Sequence, residues 1–209
     1  GRELQRLEQQ VLEHDPALDV SAPTRPTPSL PPLPPPVAPV EGGNLPPLSS
    51  SLIGRARECA EVAELGTAYR LVTLVGPAGV GKTRLALEVA RRSEVVDGAW
   101  LIRLETARTD ESVGDTIAVA LHANGATEAA LIERLRGANA LIVLDNCEHV
   151  VDAVAELVGP LLRAGPGVRL LATSQLPLGV DGERVYGLDP LGFSDAVSLF
   201  AERAGEHGG

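Results

Sequence analysis

The sequence has few of the residues that mark several common protein classes. It contains no methionine, one tryptophan and only two cysteines, Cys59 and Cys147, which form no CxxC pair. This cysteine usage argues against a disulfide framework and against a zinc site, so two reduced thiols are expected. Because methionine is absent even from position 1, we expect a piece of a longer protein with further domains around it.

Long apolar runs and positive charge are also scarce. The apolar stretches 71–75 and 141–144 are far shorter than the roughly 20 residues of a membrane-spanning helix, and no signal peptide opens the chain. A formal net charge of -10 argues against a broad basic face for nucleic acid. We therefore expect a cytoplasmic protein that has no membrane partner and reaches DNA only through domains outside this piece.

The first fifty residues divide into a short helix and a proline-rich linker. Apolar residues at helical spacing predict an amphipathic helix in residues 1–15, which ends at Asp15-Pro16. Twelve of the 17 prolines lie between Pro16 and Pro47, which favours extended polyproline II segments and makes 16–50 a semi-rigid linker. Docking of an SH3-like partner on its PxxP motifs is an alternative use of the same stretch.

From residue 51 to residue 209, apolar strands alternate with amphipathic helices, which predicts an α/β fold with a parallel sheet of about five strands flanked by helices. Predicted strands lie near 70–75, 99–104, 140–145, 168–173 and 184–188. Predicted helices lie near 56–65, 82–92, 112–122, 128–136, 148–162 and 194–204. Asn124-Gly125 and Gly137 are predicted helix ends, and Gly159-Pro160 is expected to shorten or kink the fifth helix.

Residues 76–83 match the phosphate-loop pattern G-x-x-x-x-G-K-[ST] between a predicted strand and a predicted helix, which indicates a P-loop NTPase. Glycines allow backbone N–H groups to approach phosphate, and the helix adds its positive end. Lys82, the only lysine among 18 basic residues, is expected to reach the β- and γ-phosphates of ATP or ADP, and the Thr83 hydroxyl to bind Mg²⁺. The predicted nucleotide-binding residues here are Gly76, Pro77, Ala78, Gly79, Val80, Gly81, Lys82, Thr83 and Arg84.

The apolar run 140–145 ends in Asp145, where P-loop proteins bring a carboxylate to magnesium. Asn146 follows, whereas many ATPases have there a second acid that activates water, so we expect slow hydrolysis. Glu148 either replaces that acid or stabilises the start of the next helix. His149 either orients Glu148 or covers a packing surface. The predicted catalytic residues are Lys82, Asp145 and Glu148, and the predicted metal ligands are Thr83 and Asp145.

A polar pair, Thr173 and Ser174, ends the fourth predicted strand. It falls at the carboxyl edge of the sheet, where ligands bind in such folds. The two hydroxyls either sense the bound nucleotide or cap a loop, and the residues alone leave both interpretations open.

Further motifs carry a family resemblance over about residues 51–204. They are Ser51-Leu52-Ile53-Gly54-Arg55, Leu144-Asp145-Asn146-Cys147-Glu148-His149, and Ala172-Thr173-Ser174 followed by Pro177-Leu178-Gly179. With the phosphate loop, this set resembles NB-ARC-type STAND ATPases of bacterial transcriptional regulators. The resemblance implies that Ile53, Gly54 and Arg55 lie near adenine and ribose, and that 188–191 lead into a helical subdomain. Related proteins usually carry an arginine that senses the γ-phosphate where this chain has Gln175.

The N-terminal residues resemble the last helix of a bacterial transcriptional activator domain (BTAD), which points to a SARP-type regulator. On this resemblance, 1–15 end the preceding helical domain, 16–50 are the linker, and 51–209 are a nucleotide-binding domain truncated at its C-terminal end. The leading hypothesis is an ATP/ADP switch with weak ATPase activity, with nucleotide-dependent self-association as a further hypothesis. The alternatives are a turnover enzyme, either an ATPase or a small-molecule kinase, and a nucleotide-retaining scaffold without hydrolysis.

Overall fold

Five parallel strands form one sheet in the residues that the computed structural model describes, 42–47 and 52–206. The strands are β1 (Leu71–Val75), β2 (Ala99–Arg103), β3 (Leu141–Asp145), β4 (Arg169–Ser174) and β5 (Glu183–Gly187). Their order across the sheet is β2-β3-β4-β1-β5, and every neighbouring pair is parallel. β4 therefore lies between the strand before the phosphate loop and the strand that ends in Asp145.

Helices cover both faces of this sheet. They are α1 (Ala56–Ala68), α2 (Lys82–Arg92), α3 (Asp110–Leu121), α4 (Glu128–Leu135) and α5 (Val151–Arg163). A further helix, α6 (Phe193–Glu206), follows β5. α1 and α2 pack on one face, and α3, α4 and α5 pack on the other. This arrangement confirms the predicted fold class, an α/β P-loop NTPase fold with about five parallel strands flanked by helices.

β1 to β4 are mostly apolar and buried because both faces of the sheet are covered there, whereas β5 is partly exposed. In β3, Ile142 and Leu144 belong to the cluster under α3, α4 and α5, whereas Leu141 and Val143 pack with α1 and α2. Parallel sheets that are covered on both sides require apolar residues at every strand position, not at alternate ones. This burial holds the carboxyl ends of the strands in register, and the candidate site is built on those ends.

One predicted helix end is wrong and another agrees with the structure. Gly137 follows α4 with a φ of +72°, as expected of a glycine after a helix. α3 instead ends at His122, which adopts a left-handed φ of +55°, before Asn124-Gly125 is reached. The N–H of Ala123 still donates to the carbonyl of Ala118 at 2.9 Å. A histidine therefore takes the left-handed backbone position for which the sequence predicts glycine.

The helix predicted from Glu148 begins at Val151 instead. Cys147–His149 form a separate 3-10 turn, because Asn146 before it has a φ of +64° and Val150 after it has a φ of -137°. Neither conformation continues an α-helix. The helix then runs through Pro160 to Arg163, so Gly159-Pro160 does not end it early.

The predicted helix in 1–15 and most of the predicted linker lie outside the described residues. Within 42–47, Gly43 forms a parallel bridge with Ala99 of β2, so this part of the predicted linker contacts the sheet edge. None of the helices in the described ranges is both long and apolar enough to cross a membrane.

Candidate nucleotide-binding site

The phosphate loop, residues 76–81, connects β1 to α2 at the carboxyl edge of the sheet. Gly79 and Gly81 adopt left-handed φ values of +75° and +101°, which side chains other than glycine rarely tolerate. A Cβ added at either would meet no atom within 4 Å. The backbone conformation, and not a lack of space, is therefore what requires glycine at these two positions. Gly76 has a different role, because a Cβ there would lie 2.6 Å from the carbonyl oxygen of Leu188.

Lys82 lies inside the loop at the first residue of α2 and is only 7% exposed. Its Nζ donates to the carbonyl oxygens of Gly76 at 2.8 Å and Pro77 at 3.0 Å. No side chain caps the start of α2, whereas Thr109 and Thr127 cap α3 and α4. Uncapped helical N–H groups beside a buried ammonium form a site that suits an anion.

Asp145 is the centre of a hydroxyl network and is 4% exposed. Its Oδ1 accepts hydrogen bonds from Thr83 Oγ1 at 2.7 Å and from Thr173 Oγ1 at 2.6 Å. Thr173 Oγ1 in turn accepts from the backbone N–H of Asn146 at 3.0 Å. Because β4 lies between β1 and β3, its last residues meet both the phosphate loop and Asp145. The network therefore joins three segments that are far apart in the sequence.

The oxygen atoms of Thr83 and Asp145 fit a magnesium ion. They are hard donors held 2.7 Å apart at the edge of the anion site. The residues of 42–47 and 52–206 contain no group of three or more His, Cys, Asp or Glu side chains that could hold a metal. Magnesium in nucleotide sites needs only one or two protein oxygens, because phosphates and water supply the remaining ligands.

Glu148 contacts the end of β4 rather than the first turn of α5. The Gln175 amide donates from Nε2 to Glu148 Oε1 at 3.2 Å. Glu148 Oε2 is buried and has no hydrogen-bond partner in the described part of the chain. Burying a carboxylate oxygen without a hydrogen-bond donor costs free energy, so this oxygen is expected to accept a hydrogen bond from a bound molecule. The carboxylate stands in the turn after Asp145, on the same edge of the sheet.

His149 and Ser174 make other contacts. His149 Nε2 lies 2.8 Å from the carbonyl oxygen of Leu104, and since a carbonyl only accepts, this nitrogen carries the proton. The ring therefore holds the chain after β2. Ser174 Oγ accepts from the N–H of Leu176 at 3.2 Å, which is a local loop contact. Of the two hydroxyls that end β4, only that of Thr173 reaches Asp145.

Both cysteines are free and buried. Burial raises the pKa of the Cys147 thiol, and the nearby carboxylates of Asp145 and Glu148 raise it further. Burial also raises the pKa of Cys59. Both thiols are therefore protonated at neutral pH and are poor nucleophiles and metal ligands.

Arg55 is buried, with 6% of its surface exposed, and it binds the backbone beside the phosphate loop. Its Nη2 donates to the carbonyl oxygens of Asp189 at 2.6 Å and Val80 at 3.3 Å. Its Nη1 donates to Glu58 Oε1 at 2.6 Å. The side chain thus joins the start of α1, the phosphate loop and the chain after β5. Sequence reasoning missed Asp189, since 134 positions separate it from Arg55.

The other predicted nucleotide contacts lie around this edge. Gly54 has a φ of +66°, and a Cβ there would lie 2.5 Å from Cβ of Asp195 in α6. Ile53 and Arg84 are half-buried. Arg84 Nη2 is buried without a hydrogen-bond partner in the described ranges. The nucleotide contacts of Ile53, Gly54, Arg55 and Arg84 stay predictions.

Curated proteins similar to the chain include regulators. A Mycobacterium tuberculosis protein named as uncharacterized is 37% identical over 162 residues, which cover 74% of this chain and 41% of that protein. Another, whose name assigns it provisionally to the HTH-type transcriptional regulators, is 42% identical over 65% of this chain and 16% of its own length. Regulatory protein AfsR of Streptomyces coelicolor is 29% identical over 97% of this chain and 22% of its own length. The chain spans less than half the length of each relative.

Two solved structures share the fold. One is a Signal Transduction ATPase with Numerous Domains (STAND) protein with a tetratricopeptide repeat sensor from Pyrococcus horikoshii. It has a TM-score of 0.52 at 21% identity and covers 81% of this chain and 28% of its own. Cdc6p of Pyrobaculum aerophilum has a TM-score of 0.56 at 17% identity, and the match covers 78% of this chain and 52% of the Cdc6p chain. The chain has the fold of the P-loop ATPases. No protein-family model matches it.

Proposed function

We propose that this chain is a magnesium-dependent ATP/ADP-binding switch module of a bacterial transcriptional regulator. One observation carries the proposal: Lys82 lies inside a glycine loop beside the Thr83–Asp145–Thr173 network. This arrangement combines an anion site with hard oxygen donors for a divalent cation.

Each site residue has a role in this proposal. The loop N–H groups and Lys82 hold the phosphates, while Thr83 and Asp145 hold Mg²⁺, which neutralises phosphate charge when it is bound. Thr173 positions Asp145 through the 2.6 Å hydrogen bond. Lys82 would exchange its present carbonyl partners, Gly76 and Pro77, for phosphate oxygens. The assigned nucleotide contacts also include Ile53, Gly54, Arg55, Ala78, Gly79, Val80, Gly81, Arg84 and Ser174.

We assign slow hydrolysis to the same site. Asn146 occupies the position of the usual second acid, and its amide cannot accept a proton from water as a carboxylate does. Glu148 is the candidate base that would accept a proton from water, but its Oε1 is held by Gln175. In this contact the amide occupies a position at Oε1 from which a water molecule would otherwise donate its proton. The geometry therefore favours a long-lived nucleotide complex over rapid turnover.

Arg55 supports a switch because it joins the phosphate loop to the chain that leads into α6. A nucleotide changes the balance between two conformations only if it binds one of them more tightly. A change in the phosphate loop between the ATP and ADP complexes would move the carbonyl group of Val80. Arg55, which binds that carbonyl and the carbonyl of Asp189, would transmit the change to α6. The position of α6 is accordingly the output that we assign to the bound nucleotide.

The regulator assignment rests on the relatives named above. We assign the chain to the NB-ARC-type STAND ATPases of SARP-type regulators, with a BTAD-like domain ending at 1–15, a linker at 16–50 and the nucleotide-binding domain from 51. DNA would be bound by other domains, in the cytoplasm where bacterial DNA lies. Nucleotide-dependent self-association is part of this proposal. Sedimentation velocity should give different oligomeric states with Mg-ATP and with Mg-ADP, and the same state in both would contradict it.

A second candidate function is a nucleotide-retaining scaffold without hydrolysis. The contact between Gln175 and Glu148 favours it, because the amide occupies Glu148 Oε1, where the attacking water would otherwise be held. Mass spectrometry of the nucleotide released from purified protein over several hours distinguishes intact ATP from ADP. Slow conversion supports the switch, and intact ATP supports the scaffold.

Calorimetry tests the proposed function directly. The protein is titrated with ATP and with ADP, each with Mg²⁺ and with a chelator instead. We expect both nucleotides to bind, with ATP losing the larger share of its affinity when Mg²⁺ is removed. Absence of ATP and ADP binding would overturn the nucleotide site itself. Rapid steady-state phosphate release without a partner would indicate a turnover enzyme instead of a switch.

A further inference from the structure

One side chain pairs with both backbone groups of Leu101 in the edge strand β2. Asn44 Nδ2 donates to the carbonyl oxygen of Leu101 at 2.9 Å, and Asn44 Oδ1 accepts from the N–H of Leu101 at 2.5 Å. The N–H of Asn44 also donates to the carbonyl oxygen of Ala99 at 3.2 Å. The side chain thus replaces the backbone hydrogen bonds that another strand would make with this edge.

Three glycines allow the same segment to approach β2 closely. Gly42, Gly43 and Gly98 have φ values of +129°, +108° and +85°. A Cβ added at Gly43 would collide with the carbonyl oxygen of Ala99, and one at Gly98 with the backbone of Gly42. Contact between two backbones at this distance requires glycine on both sides. Leu45 then packs against the cluster under α1 and α2.

The β2 edge is one that a soluble domain has to cover. Residues 99–102 are apolar and buried, and they carry no charge. An apolar edge strand with free N–H and C=O groups pairs readily with another chain. The opposite edge, β5, is protected differently, because it carries Glu183 and Arg184 within its 5 residues.

We propose that the outer edge of β2 is a docking site for an extended peptide, and that residues 42–47 of this chain occupy it. By occupying the edge, these residues prevent β2 from pairing with a second copy of the chain. Residues 42–47 are held there by backbone pairing, by the close approach that Gly42 and Gly43 allow, and by the Asn44 amide. This inference does not depend on the nucleotide proposal.

Amide hydrogen exchange by NMR tests the docking in the full chain. We expect Asn44→Ala to speed exchange of the Leu101 N–H by about tenfold or more, because that group loses its acceptor. Asn44→Asp keeps the acceptor and is expected to speed it less. Asn124→Ala, the same substitution in an exposed loop, is the control. Slow exchange of the Val143 N–H in every variant shows that the sheet stays folded.

Sedimentation velocity over a range of concentrations tests the closing of the edge. We expect Asn44→Ala to form dimers at concentrations where the unchanged protein and Asn124→Ala stay monomeric. Leu101 exchange as slow in Asn44→Ala as in the unchanged protein would overturn the docking site. Fast Leu101 exchange in a variant that stays monomeric at every concentration would overturn the protective role of residues 42–47.

Discussion

The two ends of the parallel sheet bury different kinds of residue. The carboxyl end holds nearly all of the buried polar or charged side chains of the described ranges, namely Arg55, Lys82, Asp145, Thr173 and Ser174. The amino end has a cavity of about 340 Å³ between α1, α2 and the strands. Its walls are mainly apolar and include Val62, Val72, Val89, Leu141 and Leu171.

This difference separates binding from stability. Burying polar groups costs free energy unless each has a partner, so their concentration at one end indicates a use beyond folding. Apolar burial at the other end stabilises the fold without offering specific recognition. Substitutions at the carboxyl end should therefore change nucleotide affinity more than stability, and those at the amino end should do the reverse.

The largest effect is expected from Leu71→Ala at the amino end of β1. Leu71 is 1% exposed and belongs to the cluster under α3, α4 and α5. Loss of its side chain should reduce the free energy of unfolding by about 2–5 kcal/mol, as measured with urea. The ATP affinity of the protein that stays folded should change less than about twofold. A large loss of affinity would show that the two ends are coupled.

Among the substitutions at the carboxyl end of the sheet, Lys82→Ala should reduce nucleotide affinity the most. Without the ammonium, the affinity for Mg-ATP should fall on the order of 100-fold by calorimetry, because charged hydrogen bonds to phosphate are lost. Arg92→Ala, at the other end of α2, is the control. It removes an ion pair with Glu88 and should leave ATP affinity unchanged. Equal affinities for Lys82→Ala and the unchanged protein would rule out the assigned phosphate site.

Thr173→Val tests the network behind the metal ligand. The substitution keeps the shape of the side chain but removes the donor to Asp145 and the acceptor for the Asn146 N–H. Mg-ATP affinity should fall about tenfold, which is about 1.4 kcal/mol, and the free energy of unfolding by about 1 kcal/mol. Thr173→Ser keeps the hydroxyl and should lose much less of both. No loss in Thr173→Val together with a loss in Thr173→Ser would mean that the methyl group of Thr173 matters and its hydroxyl does not.

Gln175→Arg should increase the preference of the site for ATP over ADP. A guanidinium at this position would offer charged donors to a γ-phosphate and pair with Glu148, where the present amide offers only neutral ones. The ratio of ADP to ATP dissociation constants should rise roughly fivefold. Gln175→Glu reverses the added charge and should lower the same ratio. No change in either variant would place Gln175 away from the γ-phosphate.

The smallest effect is expected from Ala63→Leu, which fills the cavity at the amino end. Ala63 is half-buried in α1 and lines that cavity. The added carbons should raise the free energy of unfolding by about 0.5–1 kcal/mol with no change in nucleotide affinity. Ala60→Leu, on the exposed side of the same helix, should have little effect. Destabilisation by Ala63→Leu would mean that the cavity cannot accept the side chain.

Local patterns were sufficient for most of the fold. The apolar runs predicted β1 to β4 to within one residue, because burial on both faces demands a mostly apolar sequence. β5 was predicted as closely, although most of its residues are exposed. The phosphate loop was recognisable because its glycines and Lys82 are contiguous. Asp145 was recognisable because it ends such a run. These features depend on neighbours in the sequence, so the sequence alone could reveal them.

Backbone conformation at single residues was harder to predict. His122 ends α3 in a left-handed conformation that favours glycine. Asn146 and Val150 interrupt the helix predicted from Glu148 and leave the acid in a separate turn. In both cases packing of the flanking elements overrides a weak local preference. Such choices need the distances between elements, which a sequence pattern does not contain.

By itself, the sequence determined an α/β sheet, a phosphate loop with one lysine, and an acid at the end of a buried strand. Only the tertiary structure decided that Thr173 and not Ser174 meets Asp145, that Arg55 binds the backbone of Asp189, and that Asn44 pairs with β2. The physical reason is strand order. Insertion of β4 between β1 and β3 brings distant residues within hydrogen-bonding distance, and no local spacing encodes that order.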